Sequence, residues 1–201
     1  MPSKQSSSAR GRPTAYDNQE VLSKAQHLFW RKGYTATSLE ELLAAMGIGS
    51  GSFYNAFKGG KKEVFRLALQ QRREAFNQFE KELKLSADPM GLIRDFFRSI
   101  ATADHSTHLQ GCIVVNTVVE MAFLDGELEQ EAVDILREVE QLFVRTIAGA
   151  QQAGQLRNQT DPLLLGRYLL TLWNGLNVTR RMHPNAEVLS QQIEMQLEIL
   201  R

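Results

Sequence analysis

Residues 37–57 read Thr37-Ser38-Leu39-Glu40-Glu41-Leu42-Leu43-Ala44-Ala45-Met46-Gly47-Ile48-Gly49-Ser50-Gly51-Ser52-Phe53-Tyr54-Asn55-Ala56-Phe57, and the fold is decided here. Ser38 with Glu41 three residues on is a capping box, in which a hydroxyl and a carboxylate satisfy backbone N–H groups left bare at a helix start. Leu39, Leu42, Leu43 and Met46 recur at i, i+3, i+4 and i+7, one helical face, and Gly47 stops the helix. After Ile48 a run of glycine and serine leads into residues 53–57, a short helix with Phe53 and Phe57 on one side. A helix, a short turn and a second short helix with small polar residues outward describe a helix-turn-helix. The second helix of that motif lies in the major groove of DNA, and here the reader would be Ser50 to Phe57. A surface loop followed by an ordinary core helix is the competing reading.

Upstream, Val21, Leu22, Ala25, Leu28 and Phe29 form another one-sided stripe. Asp17 with Glu20 offers a cap at its start, and Arg31, Lys32 and Gly33 suit its end. Residues 1–13 are rich in Ser, Lys and Arg without periodicity and read as a flexible basic arm. Downstream, a long helix is predicted from about 61 to about 85. Asp88-Pro89 and Asp161-Pro162 each read as an N-cap followed by a proline at the first helical position. Further helices are predicted near 89–103, 109–123, 127–153, 162–182 and 185–200. No segment alternates with period two and no repeat is found. The class is all-α, with a helix-turn-helix domain at 14–60 and a larger helical domain at 61–201.

Composition narrows the function. The 201 residues are 43% hydrophobic, enough for one large domain or two small ones. No apolar run approaches the ~18 residues of a membrane span, and the N-terminus lacks a secretory apolar region. A single cysteine, Cys112, excludes an internal disulfide framework, so a cytoplasmic setting is expected. The zero net charge hides a split. Residues 1–75 hold 12 Lys and Arg against 6 Asp and Glu, and residues 76–201 hold 11 against 17. A basic front third suggests a polyanionic partner. Nucleophile-elbow, P-loop, Rossmann and HExxH patterns are absent, so neither an enzyme nor a cofactor is expected. His105, His108 and Cys112 are zinc-ligand types, but they straddle a loop without an evident carboxylate, and no metal is expected.

The stretch at 37–57, with Ala25, Leu28, Phe29, Gly33 and Tyr34 before it and Lys61 and Lys62 after it, resembles the signature of TetR/AcrR transcriptional regulators. The likeness is close over about 17–66, although the link from Lys58 to Glu63 looks one residue longer than usual. It implies a repressor bound as a homodimer to a palindromic double-stranded DNA operator and released by a small-molecule or thiol-reactive effector. It further implies that Thr37 or Ser38 meets a phosphate, that Ser50, Ser52 and Asn55 lie nearest base edges, and that Tyr54 contacts the DNA backbone. Lys61 or Lys62 would neutralise a phosphate. Arg10 and Arg12, in Arg10-Gly11-Arg12-Pro13, resemble a minor-groove hook.

Residues 163–173 are apolar nearly all round, and Val188, Leu189, Ile193, Leu197 and Leu200 form a further stripe, which suggests a dimer face. Phe96, Phe97, Phe143, Tyr168 and Trp173 are candidates to line an effector cavity, with Cys112, Asn116 and Glu120 as polar or reactive points. Cys112 reads either as an oxidant sensor or as a small buried core residue. The alternative class is a helical ligand-binding or scaffold protein without specific DNA binding. Tyr54, Lys61, Lys62 and the basic front argue against it.

Overall fold

The computed structural model describes residues 18–104, 110–183 and 185–201, and their regular structure is helical. The helices are α1 (Asn18–Lys32), α2 (Leu39–Met46), α3 (Ser50–Ala56), α4 (Gly60–Leu85), α5 (Pro89–Thr102), α6 (Ile113–Met121), α7 (Gly126–Gln152), α8 (Pro162–Met182) and α9 (Ala186–Leu197), the last followed by a 3-10 turn (Glu198–Leu200).

Helices α1, α2 and α3 make a head that sits on the first turns of α4. The capping box forms as predicted: Glu41 N donates to Ser38 Oγ at 3.2 Å and Ser38 N to Glu41 Oε2 at 3.0 Å. Gly47 closes α2 in the left-handed region. Helix α3 starts at Ser50, where the expected reader of residues 50–57 starts, and Phe53 N closes its first turn on Gly49 O at 2.9 Å. Gly and Ser are weak helix formers. Burial of Phe53 and Phe57 in the hydrophobic core outweighs that local cost. Asp17, the predicted α1 cap, and the arm with Arg10 and Arg12 lie outside the described residues.

Helices α4 to α9 make the body. Asp88 and Asp161 cap α5 and α8 through Gly91 N at 2.7 Å and Leu163 N at 2.9 Å, with proline at the first position of each helix. Helix α6 starts at Ile113 rather than near 109, since Gly111 turns the chain at φ 67°. The long helices α4 and α7 run parallel and are bridged at a constant sequence offset: Lys62 to Glu127, Arg66 to Glu131, Arg73 to Glu138 and Arg145 to Glu80. These rungs are largely exposed, and each contributes little by itself. Their effect is to fix the axial register of the two helices.

One expectation about the C-terminal helices is corrected. The apolar run at 163–173 is divided between core and surface. Leu165, Leu169, Leu172, Trp173 and Leu176 turn into the core, while Leu164, Val178 and Met182 remain exposed. In α9, Leu189, Ile193, Leu197 and Leu200 also pack into the chain's own core, leaving Val188 and Met195 outward. Most of the predicted stripe therefore fills the monomer. Of the predicted residues, Leu164 and Val188 stay exposed, joined by Val178, Met182 and Met195.

Candidate nucleic-acid interface and effector cavity

The outer face of α3 is small and polar because its inner face carries the aromatic anchors. Phe53 is fully buried, with ring centroids 5.2 Å from Tyr54 and 5.5 Å from Phe57. Ser50, Tyr54 and Asn55 are exposed, and Ser52 is half-buried. The residues expected to meet base edges and backbone thus share one short helix with a rigid footing. Thr37 is different. It is fully buried and its hydroxyl donates to Gly33 O at 2.7 Å, so only Ser38 of that pair presents a hydroxyl to solvent.

Both lysines at the start of α4 are engaged by the protein. Lys61 is half-buried, and its Nζ donates to Tyr34 O at 3.0 Å and Thr37 O at 2.9 Å, 4.2 Å from the Tyr34 ring centroid. Burial pushes its ammonium below the usual lysine range, and the Glu120 carboxylate opposes that shift. Lys62 pairs with Asp125 at 2.7 Å and Glu127 at 2.9 Å, which holds its ammonium above the ordinary range. The likeness of motif suggested phosphate contacts, but the geometry gives both side chains intramolecular partners. Lys58, exposed just before the turn into α4, was not singled out from the sequence.

The candidate effector residues do not all converge. Phe96 stacks on Phe79 at 5.2 Å, meets Phe97 edge-on at 5.3 Å and lies 4.9 Å from Trp173. Phe143 follows at 6.1 Å from Phe97. Phe76, Phe79, Phe96, Val139, Leu142, Phe143 and Trp173 enclose a cavity of about 10 Å³, roughly the room of one water. Among the described residues the buried Trp173 Nε1 donor has no hydrogen-bond partner. Beyond Phe76, Val139 and Leu142, a groove of about 420 Å³ opens between α4 and α7, flanked by the Arg73–Glu138 and Arg145–Glu80 pairs. Phe76 and Phe79 escaped notice in the sequence because they read as an ordinary apolar stripe on α4. The constant offset of the ion pairs would have placed them, but only once the pairing of α4 with α7 was known.

The remaining candidates lie elsewhere. Tyr168 donates its hydroxyl to Gln196 O at 3.0 Å. Asn116 donates to Gln110 O at 3.2 Å. Glu120 points at the head, accepting from Tyr34 N at 3.0 Å and Thr35 N at 2.7 Å. Cys112 is fully buried at the N-cap of α6 and makes no capping hydrogen bond. Among the described residues no group of His, Cys, Asp and Glu is placed to hold a metal ion, and His105 and His108 lie outside those residues.

A three-helix head with a braced reader helix, carried on an all-helical body with an aromatic core, is the architecture of a helix-turn-helix regulator. Comparison with known proteins agrees. The family model for bacterial regulatory proteins of the tetR family matches residues 21–68, and that for the tetracyclin repressor-like C-terminal domain matches residues 89–195. The chain belongs to the tetR family. It is 27% identical over 188 residues to the HTH-type transcriptional repressor DhaR of Mycobacterium sp. (strain GP1), covering 90% of this chain and 91% of that one. A cysteine-substituted form of the TetR family regulator CifR, solved with 26-base-pair operator DNA, superposes with a TM-score of 0.78 at 26% identity, covering 95% of this chain and all of that one. The reduced form of E. coli NemR shares the fold with a TM-score of 0.78 at 21% identity, over 91% of this chain and 96% of that one.

Proposed function

We propose that the chain is a DNA-binding transcriptional repressor that works as a homodimer on a palindromic operator and leaves it when a small molecule enters the body. The observation that carries this reading is α3: exposed Ser50, Tyr54 and Asn55 stand on the fully buried Phe53. A flexible loop would have no such footing, and a scaffold without a nucleic-acid partner would not need one. Ser50, Ser52 and Asn55 are the base-reading groups and Tyr54 a backbone contact. Ser38 is a further hydroxyl for phosphate. With Lys61 and Lys62 occupied, Lys58 is the lysine best placed for a phosphate. The arm, with Arg10 and Arg12, adds minor-groove contact.

Residues 14–60 form the reading domain and 61–201 the sensing and dimerising domain. Exposed Leu164, Val178 and Met182 on α8 with Val188 and Met195 on α9 give an apolar face for a second copy. A two-fold dimer matches two half-sites on the duplex. The effector is an apolar, aromatic-compatible molecule that reaches the Phe96–Trp173 cluster from the groove between α4 and α7. No chemical step is assigned to the chain, and it acts in the cytoplasm. No helix of the described residues is long and apolar enough to cross a membrane.

Selection of bound duplexes from a random pool tests the reading. The expected product is a two-fold symmetric sequence, preferred by at least about a thousandfold over random DNA. Enrichment of no sequence refutes it.

A further inference from the structure

We propose that Glu120, on α6 of the body, is a positioning residue for DNA reading, holding the turn between α1 and α2 in the setting from which α3 is presented. The proposal rests on the operator reading above. Residues 33–38 form that turn, and besides its bonds within the head it is held from two sides. The Tyr34 and Thr35 amides donate to the two Glu120 oxygens at 3.0 and 2.7 Å, a two-pronged bond to a charged acceptor across 86 and 85 residues of sequence. The Tyr34 and Thr37 carbonyls accept from Lys61 on α4 at 3.0 and 2.9 Å. Helix α6 therefore takes two of the turn's amides, and α4 takes two of its carbonyls.

Gly33 shows that the sequence accommodates this contact. Its φ is 81°, a left-handed backbone that L side chains rarely adopt. A Cβ built there would also lie 2.8 Å from Glu120 Oε2 and 3.1 Å from its Cδ. Two independent requirements for glycine thus meet at the residue against which the carboxylate rests. The other end of α6 is tied to the head as well, since Trp30 Nε1 donates to Gly111 O at 3.1 Å.

Helix α6 is anchored in the body by buried Ile113, Val114, Thr117 and Met121. It cannot follow the head independently of the core. A shift of α6 by about 1 Å would stretch the Glu120 bonds beyond ~3.5 Å, where an N–H···O hydrogen bond is no longer made. Of the two contacts that reach the turn from outside the head, only the one from Lys61 would then remain. Rearrangement in the body would reach α3 by this route in addition to any movement of α4.

The test uses the full chain, its selected operator and a scrambled duplex. Glu120→Ala is expected to weaken operator binding about tenfold, the scale for losing a hydrogen-bonded charge. Binding to the scrambled duplex and the salt dependence should not change, since Glu120 touches no phosphate. Glu120→Gln, which keeps one acceptor, should fall between. The Tyr34 and Thr35 amides should exchange faster in Glu120→Ala well below its unfolding temperature. Gly33→Ala should weaken operator binding more in the wild-type background than in Glu120→Ala, because the backbone strain is common to both and only the clash differs. Wild-type operator affinity in Glu120→Ala, an equal loss on both duplexes, or additive effects of the two substitutions overturns the inference. If the wild-type chain selects no sequence, the operator reading falls and takes the inference with it. Selection by the wild type with an indifferent Glu120→Ala sinks the inference alone.

Discussion

Gly166→Ala and Gly149→Ala are the same substitution on neighbouring helices, yet they should shift stability in opposite directions. In a helix interior, alanine is favoured over glycine by about 0.8–1 kcal/mol. Gly149 is exposed on α7, and an added Cβ meets nothing within 4 Å, so most of that gain should appear. Gly166 is buried on α8 where it crosses α7. There the Cβ would lie 2.5 Å from Val144 Cγ2, 3.0 Å from Val144 N and 3.3 Å from Glu140 O. Carbon atoms in comfortable contact stand about 3.5–4.0 Å apart. Val144 is β-branched with one strongly preferred helical rotamer, so its methyl cannot swing aside freely. The other two atoms are backbone and yield only if α7 and α8 separate. Overpacking of this kind costs about 1–3 kcal/mol, and the backbone contacts put Gly166 toward the upper end, so after the propensity gain a net loss of up to about 2 kcal/mol remains. For a chain of this size that corresponds to a Tm lower by up to about 8 °C, against a rise of about 2–4 °C for Gly149→Ala. Calorimetric melts at one fixed protein concentration read both, because dimerisation makes Tm concentration-dependent. Shifts of the same sign would refute the claim that backbone proximity at Gly166 fixes the α7–α8 packing.

Phe53→Ala should cost about 3–5 kcal/mol and release the head, seen as protease cleavage within 18–57 while the body stays intact. Val178→Glu with Met182→Glu should give folded monomers by sedimentation, whereas Leu189→Glu, at a position 1% exposed, should instead unfold the chain. Lys58→Ala should lower the log-log salt slope of DNA binding by about one unit, while Lys61→Ala with Lys62→Ala should leave the slope nearly unchanged and lower Tm. The Glu41 carboxyl is held at about 2, below its ordinary 4.5, chiefly by Lys32 and then by Ser38. Its folded-state value is depressed, so its stabilisation of α2 is complete above pH 4.5, fades as the pH falls and is gone below about 2. In Lys32→Ala the Glu41 titration followed by NMR should move upward, and an unmoved titration would discount the ion pair.

Local signals were legible in the sequence. Ser38 with Glu41, Gly47 after Met46, and proline after Asp88 and Asp161 are short-range chemistry, and they gave caps and stops where the helices begin and end. Phe53 and Phe57 were likewise readable as the inner face of the reader helix, since their spacing and apolarity require no knowledge of what they meet. Residues 50–52 hold their place in α3 although glycine and serine are weak helix formers, because burial of Phe53 decides the matter.

The sequence by itself determined that the chain is all-α, that residues 37–57 form a helix-turn-helix, and which residues of α3 point outward, because caps, periodicity and turn chemistry act over a few residues. Only the tertiary structure decided which charges are already paired and which apolar stripes face inward. Lys61 reads as a phosphate ligand until Tyr34 O and Thr37 O are brought to its ammonium. Glu120 reads as a polar point in a cavity until the Tyr34 and Thr35 amides arrive. Leu189 and Ile193 read as a dimer face until α5 covers them. In each case the deciding partner lies more than twenty residues away in sequence, and a hydrogen bond or a buried surface has no local signature until the fold brings its other half into contact.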